Sequence, residues 1–239
     1  MEFNVSKCKV VHYGRCNIGH SYKMQGQLLN EAVSEKDLGV TFTNDLKVAT
    51  QCKEVYAKAN QMLGLVSRTI QFRNPSVLMN LYKSLVRPHL DYCSTVWSPQ
   101  YRKDISLLER VQHRFTRLFP HLRELPYEER LRRLGLWSLE ERRNRADLIE
   151  LFKMVKGLSA VPWSLFFDRA EEDSVTRGHS LKLKKKHCHS NIRLHFFSQR
   201  VLNRWNSLTQ EEVDATSIDS FKNRLERRRH RQMDFYTDN

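Results

Sequence analysis

Apolar and polar side chains alternate in short bursts over the first forty-odd residues, then recur every three to four positions along most of the remaining chain. Phe3 and Val5 alternate with polar neighbours, Lys9-Val10-Val11-His12-Tyr13 runs into Gly14, Ser21-Tyr22-Lys23-Met24 runs towards Gly26, and Leu38-Gly39-Val40-Thr41-Phe42 forms a further run. A period of two broken by glycine predicts short strands. Residues 1–43 therefore read as a small antiparallel sheet. A strand placed so close to Met1 has no partner before it, so the sheet is expected to have continued upstream of a truncated N-terminus.

From Asn44 the period lengthens to about 3.6 and predicts helices. Behind a Thr43-Asn44-Asp45 cap, Cys52, Val55, Tyr56, Ala59, Met62, Leu63, Val66 and Ile70 form one stripe. Pro75 suits the first turn of a second helix striped by Leu78, Leu81, Tyr82 and Leu85, and Pro88, lacking an amide hydrogen, is expected to kink or break it. A third helix, capped near Asp104, buries Ile105, Leu108, Val111, Phe115 and Leu118 and stops by Pro120. Pro126 and Gly135 bracket a fourth, and Ser138 and Gly157 a fifth. A looser linker with Glu171-Glu172-Asp173 follows. Phe196, Phe197, Val201, Leu202 and Trp205 then suggest one amphipathic helix, and Ser217 caps a last one through Phe221 and Leu225. The expected fold is mainly α: a β segment over residues 1–43, a helical region over 44–160, and a basic region with two helices over 161–239.

Charge changes this picture more than composition does. Lys and Arg total 41 against 27 Asp and Glu, a formal charge of +14, which attracts polyanions. No acidic residue occurs from Ser174 to Gln210, where Arg177, Lys182, Lys184, Lys185, Lys186, Arg193, Arg200 and Arg204 accumulate. Five irregularly spaced cysteines argue against a disulfide framework and favour a reducing compartment. Neither a secretion signal nor an apolar run of about 20 residues is present, so an intracellular, cytoplasmic or nuclear location without membrane insertion is expected.

Several segments, in order, resemble the C-terminal part of the reverse transcriptase of LINE-type, jockey-like retrotransposons. They are Lys36-Asp37-Leu38-Gly39-Val40, Val86-Arg87-Pro88-His89-Leu90-Asp91-Tyr92-Cys93, Phe196-Phe197-Ser198-Gln199-Arg200-Val201, and Arg200-Val201-Leu202-Asn203-Arg204-Trp205-Asn206 continuing through Ser207-Leu208. The resemblance implies that residues 1–43 are the end of a polymerase palm and that the helices from Asn44 are its thumb. Gly26 and Lys36 to Val40 would be the primer grip, and Lys7, in Phe3-Asn4-Val5-Ser6-Lys7-Cys8-Lys9, would match the palm's lysine motif, whose lysine approaches the leaving pyrophosphate. Thr209 departs from the family, which usually carries proline there, and puts the local turn in question. The family's enzyme uses magnesium held by paired aspartates, which would lie upstream of Met1. This chain contains no Tyr-x-Asp-Asp hairpin, so it is expected to hold no cofactor and to lack polymerase activity by itself.

Other acidic pairs do not replace that site. Glu128-Glu129, Glu140-Glu141 and Glu211-Glu212 are adjacent on helix starts, where successive side chains diverge by about 100°; macrodipole-favoured, solvated acids are the plainer reading. Cys8, His12, Cys16 and His20 recur every four residues, but on a strand neighbouring members would stand roughly 13 Å apart, too far for one zinc ion. His187-Cys188-His189 supplies at most two or three ligands, and a flexible basic loop is the plainer reading. No metal site is expected.

Nucleic-acid contact has the stronger physical basis. Arg110, Arg114 and Arg117 fall at i, i+4 and i+7 opposite the apolar stripe of the third helix, and Arg130, Arg132, Arg133, Arg142, Arg143 and Arg145 follow. Such rows, together with Lys182, Lys184, Lys185 and Lys186, can track phosphates without reading sequence; a solvated helix face is the competing reading. Trp97, Trp137, Trp163 and Trp205 lie among apolar neighbours and suit core packing better than base stacking. The expected partner is RNA or an RNA/DNA hybrid, with protein partners undetermined. Two alternatives stay open: a helical interaction scaffold, and an element relic without selected function.

Overall fold

The computed structural model describes residues 3–14, 16–70, 74–170 and 178–237. The acidic trio Glu171, Glu172 and Asp173, together with Ser174 and Arg177 of the acid-free stretch, lie outside the described residues. The fold is mainly α with small two-stranded sheets near its N-terminal end. Among the described residues no helix is long and apolar enough to cross a membrane.

Strands β1 (Lys9–Val10) and β4 (Asn30–Glu31) pair parallel, β2 (Lys23–Met24) and β3 (Gln27–Leu28) antiparallel, and β5 (Ser34–Asp37) and β6 (Val40–Thr43) antiparallel. The parallel pair departs from the wholly antiparallel expectation. Phe3 and Val5 open no strand either; Val5–Lys7 is a single 3-10 turn whose Ser6 amide is accepted by the Asn4 side chain. Leu38-Gly39 is also not strand. Both residues have positive φ, +44° and +86°, between the paired Asp37 and Val40, which makes a type I′ hairpin turn. Gln25 and Gly26, at +51° and +78°, turn the β2–β3 hairpin in the same way.

Helix α1 (Ala49–Thr69) starts later than its expected cap. Thr43 and Asp45 instead close a local turn, in which Asp45 Oδ1 accepts from the Lys47 amide and the Thr43 hydroxyl. The Thr43 hydroxyl first, then Lys47, hold the Asp45 carboxyl down to about 2. Helix α2 (Pro75–Leu81) opens on its proline as expected and passes into a wide π-turn at Tyr82–Val86, then α3 (Arg87–Asp91). Pro88 does not end the helix. The Arg87 amide reaches five residues back to the Tyr82 carbonyl, and this local unwinding accommodates the proline. It also alters the stripe: Leu85 is exposed, while Leu78, Tyr82, Val86 and Leu90 are buried. The run ends at Cys93, in left-handed conformation at φ +50°, before α4 (Ser94–Trp97).

Helix α5 (Arg102–Thr116) starts two residues before its expected cap, and Asp104 lies buried in its first turn. The next two keep their expected punctuation: α6 (Tyr127–Leu134) between Pro126 and a left-handed Gly135, and α7 (Leu139–Val155), started by a capping box of Ser138 and Glu141. The single helix expected around Phe197 and Trp205 is divided at Val201 into α9 (Phe197–Arg200) and α10 (Leu202–Asn206), preceded by α8 (Asn191–Leu194). Thr209 resolves the missing proline by capping α11 (Gln210–Val213) in a second box with Glu212. Ser217 caps α12 (Ile218–Arg231).

The chain gathers into two compact units: Met1–Phe72, Ser76–Cys93 and Trp97–Val111 in one, Arg73–Pro75, Ser94–Val96 and Gln112–Asn239 in the other. In the first, α1 packs on β6, the π-turn and α3. In the second, Leu148, Leu151 and Phe152 of α7 meet Trp205, Phe221 and Leu225 around a common core. The segment Gly178–Lys186 is not a loose loop: Leu183 is buried and bridged to Arg169, and Trp205 Nε1 donates to the Leu181 carbonyl at 2.8 Å. Trp97, Trp137 and Trp205 are all buried, as the packing reading requires, and Trp163 lies partly buried against the core.

The core of the second unit can be probed at Trp205 and at His179. Trp205 is fully buried, so Trp205→Ala is expected to lower stability by about 3–5 kcal/mol in denaturant unfolding; an unchanged midpoint would remove Trp205 from the core. His179 Nε2 faces the Trp205 carbonyl at 2.9 Å, and its Nδ1 accepts from the Leu181 amide at 3.1 Å, a pairing that fits the neutral ring. Burial chiefly lowers its pKa, aided by Lys182 and opposed by the Trp205 carbonyl, Asp214 and Glu212. The unfolded chain then takes up the proton first. Stability present above about pH 6.5 should decline as pH falls through that value towards the depressed folded pKa. His113, depressed by burial and then by Arg130 and Arg117, acts in the same direction. Urea midpoints measured across this range should fall less steeply in His179→Gln; superimposable profiles would assign the effect elsewhere.

Candidate nucleic-acid interface

The hairpin around Leu38 and the end of α3 meet at one place. The Tyr92 hydroxyl donates to the Leu38 carbonyl at 2.8 Å, across 54 residues of sequence. Its ring covers Gly39, where a Cβ would stand 3.2 Å from Tyr92 Cε1. The Tyr92 carbonyl in turn accepts from Trp97 Nε1 at 2.7 Å, which fixes the residue from both ends. Beside this contact lies a cleft of about 260 Å³ lined by Lys36 and Gly39 of the hairpin, Gln51, Glu54, Val55 and Lys58 of α1, and Pro88, His89 and Tyr92.

The walls of the cleft are held by hydrogen bonds from β6 to α1. The Thr41 amide donates to Gln51 Oε1 at 2.9 Å, and the Thr41 hydroxyl donates to Glu54 Oε2 at 3.0 Å. The same Glu54 oxygen lies 3.7 Å from Lys36 Nζ. Lys36 in turn holds the Lys58 ammonium below its usual pKa. Gln51, Glu54 and Lys58 were missed in the sequence. Their spacing of three and four residues, along the edge of the α1 stripe, is the signal that could have found them.

Not every expected site residue reaches this cleft. Lys36 and Gly39 line it, and Asp37, Leu38 and Val40 complete its hairpin. Gly26 turns the separate β2–β3 hairpin, and Lys7 ends the exposed 3-10 turn; neither is among the described lining residues. Arg110, Arg114 and Arg117 are exposed, with Arg117 one residue past the end of α5, while Leu108, Val111 and Phe115 of that helix are fully buried. Lys184, Lys185 and Lys186 are exposed and Lys182 half-buried. Lys185 donates to Asn203 Oδ1 at 3.0 Å, and Lys186 pairs with Asp168 at 2.6 Å.

Much of the other basic character is turned inward. Arg130 is buried and donates to the His113 carbonyl at 3.3 Å, beside a His113 ring stacked on Tyr127. Arg132 and Arg133 both reach Glu129. Arg143 is buried, and Arg145 and Arg229 lie against the Trp137 ring at 4.9 and 4.6 Å. Arg228 and Arg229 bind Glu212 and Glu141, each at 2.7 Å. Of the row expected over residues 130–145, Arg130, Arg143 and Arg145 are thus engaged in packing while Arg132 and Arg133 stay exposed beside Glu129, and in α12 Arg228 and Arg229 meet the two capping glutamates while Arg227 and Arg231 are exposed. Among the described residues, no group of three or more His, Cys, Asp and Glu is arranged to hold a metal ion.

The turn predicts its own sensitivity. Gly39→Ala places a side chain at φ +86° and against Tyr92, and is expected to destabilise by about 1–2 kcal/mol. Gly14 has the same φ with open space around it, so Gly14→Ala carries the backbone effect alone. Equal losses in the two variants, measured by denaturant unfolding, would show that the Tyr92 contact contributes nothing. Comparison of the chain with protein-family models, curated proteins and solved structures gives no match.

Proposed function

We propose that this chain is the primer-grip, thumb and C-terminal part of a LINE-type reverse transcriptase, and that it binds RNA or an RNA/DNA hybrid through phosphates without reading sequence. The observation that carries the reading is the hydrogen bond between Tyr92 and Leu38. The segments around Leu38 and Tyr92, both of which carry the resemblance, pack against each other, which supports their being parts of one surface. Exposed Arg110, Arg114 and Arg117 supply the further cations. With no Tyr-x-Asp-Asp hairpin in its sequence, the chain has no evident pair of carboxylates for two magnesium ions, so nucleotide addition is not part of its proposed activity.

A helical interaction scaffold is the second reading. It is favoured by the number of arginines engaged internally, such as Arg200, Arg228 and Arg229. Salt-dependent binding separates the two. On single-stranded RNA, replacing Arg110, Arg114 and Arg117 with glutamine should make the logarithmic salt slope shallower by about 0.7 for each phosphate no longer neutralised, equally for unrelated sequences. Replacing Lys184, Lys185 and Lys186 tests the acid-free stretch separately; there Lys186 faces the Asp168 carboxylate and Lys185 donates to Asn203. Absence of RNA and hybrid binding at low salt would favour the scaffold, and magnesium-dependent primer extension by the purified chain would overturn the non-catalytic part of the proposal.

A further inference from the structure

We propose that His113, Tyr127 and Arg130 form a pH-sensitive latch: the neutral His113 ring holds Arg130 of α6 on the end of α5, and the protonated ring releases it. The setting of Arg130 carries the inference. Its side chain is buried, yet among the described residues no carboxylate pairs with it, and its Nε has no hydrogen-bond partner. What holds the guanidinium comes from one histidine and one aromatic ring. Nη1 donates to the His113 carbonyl at 3.3 Å, Nη2 stands 3.3 Å from His113 Nδ1, and the Tyr127 ring centre lies 5.4 Å away. A guanidinium can only donate, so Nδ1 is here the accepting nitrogen of an uncharged imidazole.

Protonation reverses that contact. Nδ1 becomes a donor facing a donor, and two positive charges meet at 3.3 Å. Of the other charged groups acting on His113, Arg117 adds to the repulsion and Glu128, exposed near the start of α6, opposes it. Burial and Arg130 outweigh Glu128, so the folded ring holds its proton less well than a free one. With Arg130 turned out to water the repulsion is gone, and that state takes up the proton first, near the ordinary histidine pKa of about 6.5. From there down to the depressed folded pKa, each pH unit lost should raise the released population roughly tenfold, the effect of one linked proton. The release is local. Tyr127, whose ring stacks 3.5 Å from that of His113, keeps an uncharged tie to α5: its hydroxyl accepts from Gln112 Nε2 at 3.0 Å, and Gln112 also donates to the Trp137 carbonyl at 2.9 Å. Arg130 therefore turns outward with α6 still attached at its first residue.

The test follows the isotope-labelled full chain by nuclear magnetic resonance as pH falls through the histidine range. Hydrogen exchange at Arg130 Nε, corrected for its intrinsic pH dependence, should accelerate roughly tenfold per pH unit, in step with the His113 ring signals, while the amides of α12 keep their protection. His113→Gln offers an acceptor that does not titrate and should hold Arg130 throughout that range. Arg130→Gln removes one of the repelling charges and should raise the His113 pKa towards its ordinary value, a readout that stands even if His113→Gln fails to fold. Constant exchange at Arg130 through the His113 titration would overturn the latch. So would a pH-dependent release that persists in His113→Gln, a His113 pKa unmoved by Arg130→Gln, or loss of α12 protection at the same pH, which would make the opening global.

Discussion

Arg200 and Asp147 meet almost out of reach of water, and the second unit is organised around that pair. Arg200 Nε and Nη2 donate to the two carboxylate oxygens at 2.7 and 2.8 Å, and its remaining donors reach the Thr95 and His195 carbonyls at 2.6 and 3.1 Å. Burial pushes the Asp147 carboxyl up in pKa, and Arg200 pulls it back. A guanidinium whose donors are filled in this way ties α7 to α9 and fixes the segment beside Thr95. Removing one partner of such a pair strands the other charge in the interior, typically at a loss of about 3–5 kcal/mol. Removing both together, for groups of matching shape, need not. The pair therefore acts as a constraint on which surfaces may meet more than as a net source of stability.

The same economy governs the other arginines. Glu141 and Glu212 each close a capping box and then receive an arginine from α12, so one carboxylate satisfies a helix start and a distant cation together. The count of 41 Lys and Arg consequently overstates the number of unpaired cations, although such pairs leave the formal charge of +14 unchanged. Other cations stay outward, among them Arg114, Arg117, Arg132, Arg133, Arg193 and Arg227 as well as the lysines from 184 to 186. Neutralising variants at Arg200, Arg228 or Arg229 would therefore remove an internal partner as well as a cation.

Legibility followed range. Pro75, Pro126, Gly135, Ser138 and Ser217 act within one helical turn of themselves, and each stands where its local chemistry placed it. The burial of Trp205 was readable from the spacing of Val201 and Leu202. The Thr43–Asp45 cap failed because two short polar side chains can close a turn as readily as start a helix. The strand expected at Leu38 failed for a related reason, since a glycine after an exposed apolar residue can mark a turn with two positive φ angles. Neither the Asp147–Arg200 pair, 53 residues apart, nor the Glu141–Arg229 pair, 88 apart, leaves a periodic trace. The cleft was half legible: Lys36 and Gly39 stood among the expected site residues, but Gln51, Glu54 and Lys58 of α1 did not.

The buried residues Leu78, Tyr82, Val86 and Leu90 are spaced by four throughout. On a regular helix a step of four overshoots a full turn by about 40°, so such a row would spiral off one face. The wide turn at Tyr82–Val86 takes up that drift. The direction in which His89 and Tyr92 face is thus a matter of arithmetic along the chain as much as of side-chain chemistry. Deleting one residue inside the turn would leave every cleft residue present and swing those two by about 100° around the helix axis, away from the hairpin they serve.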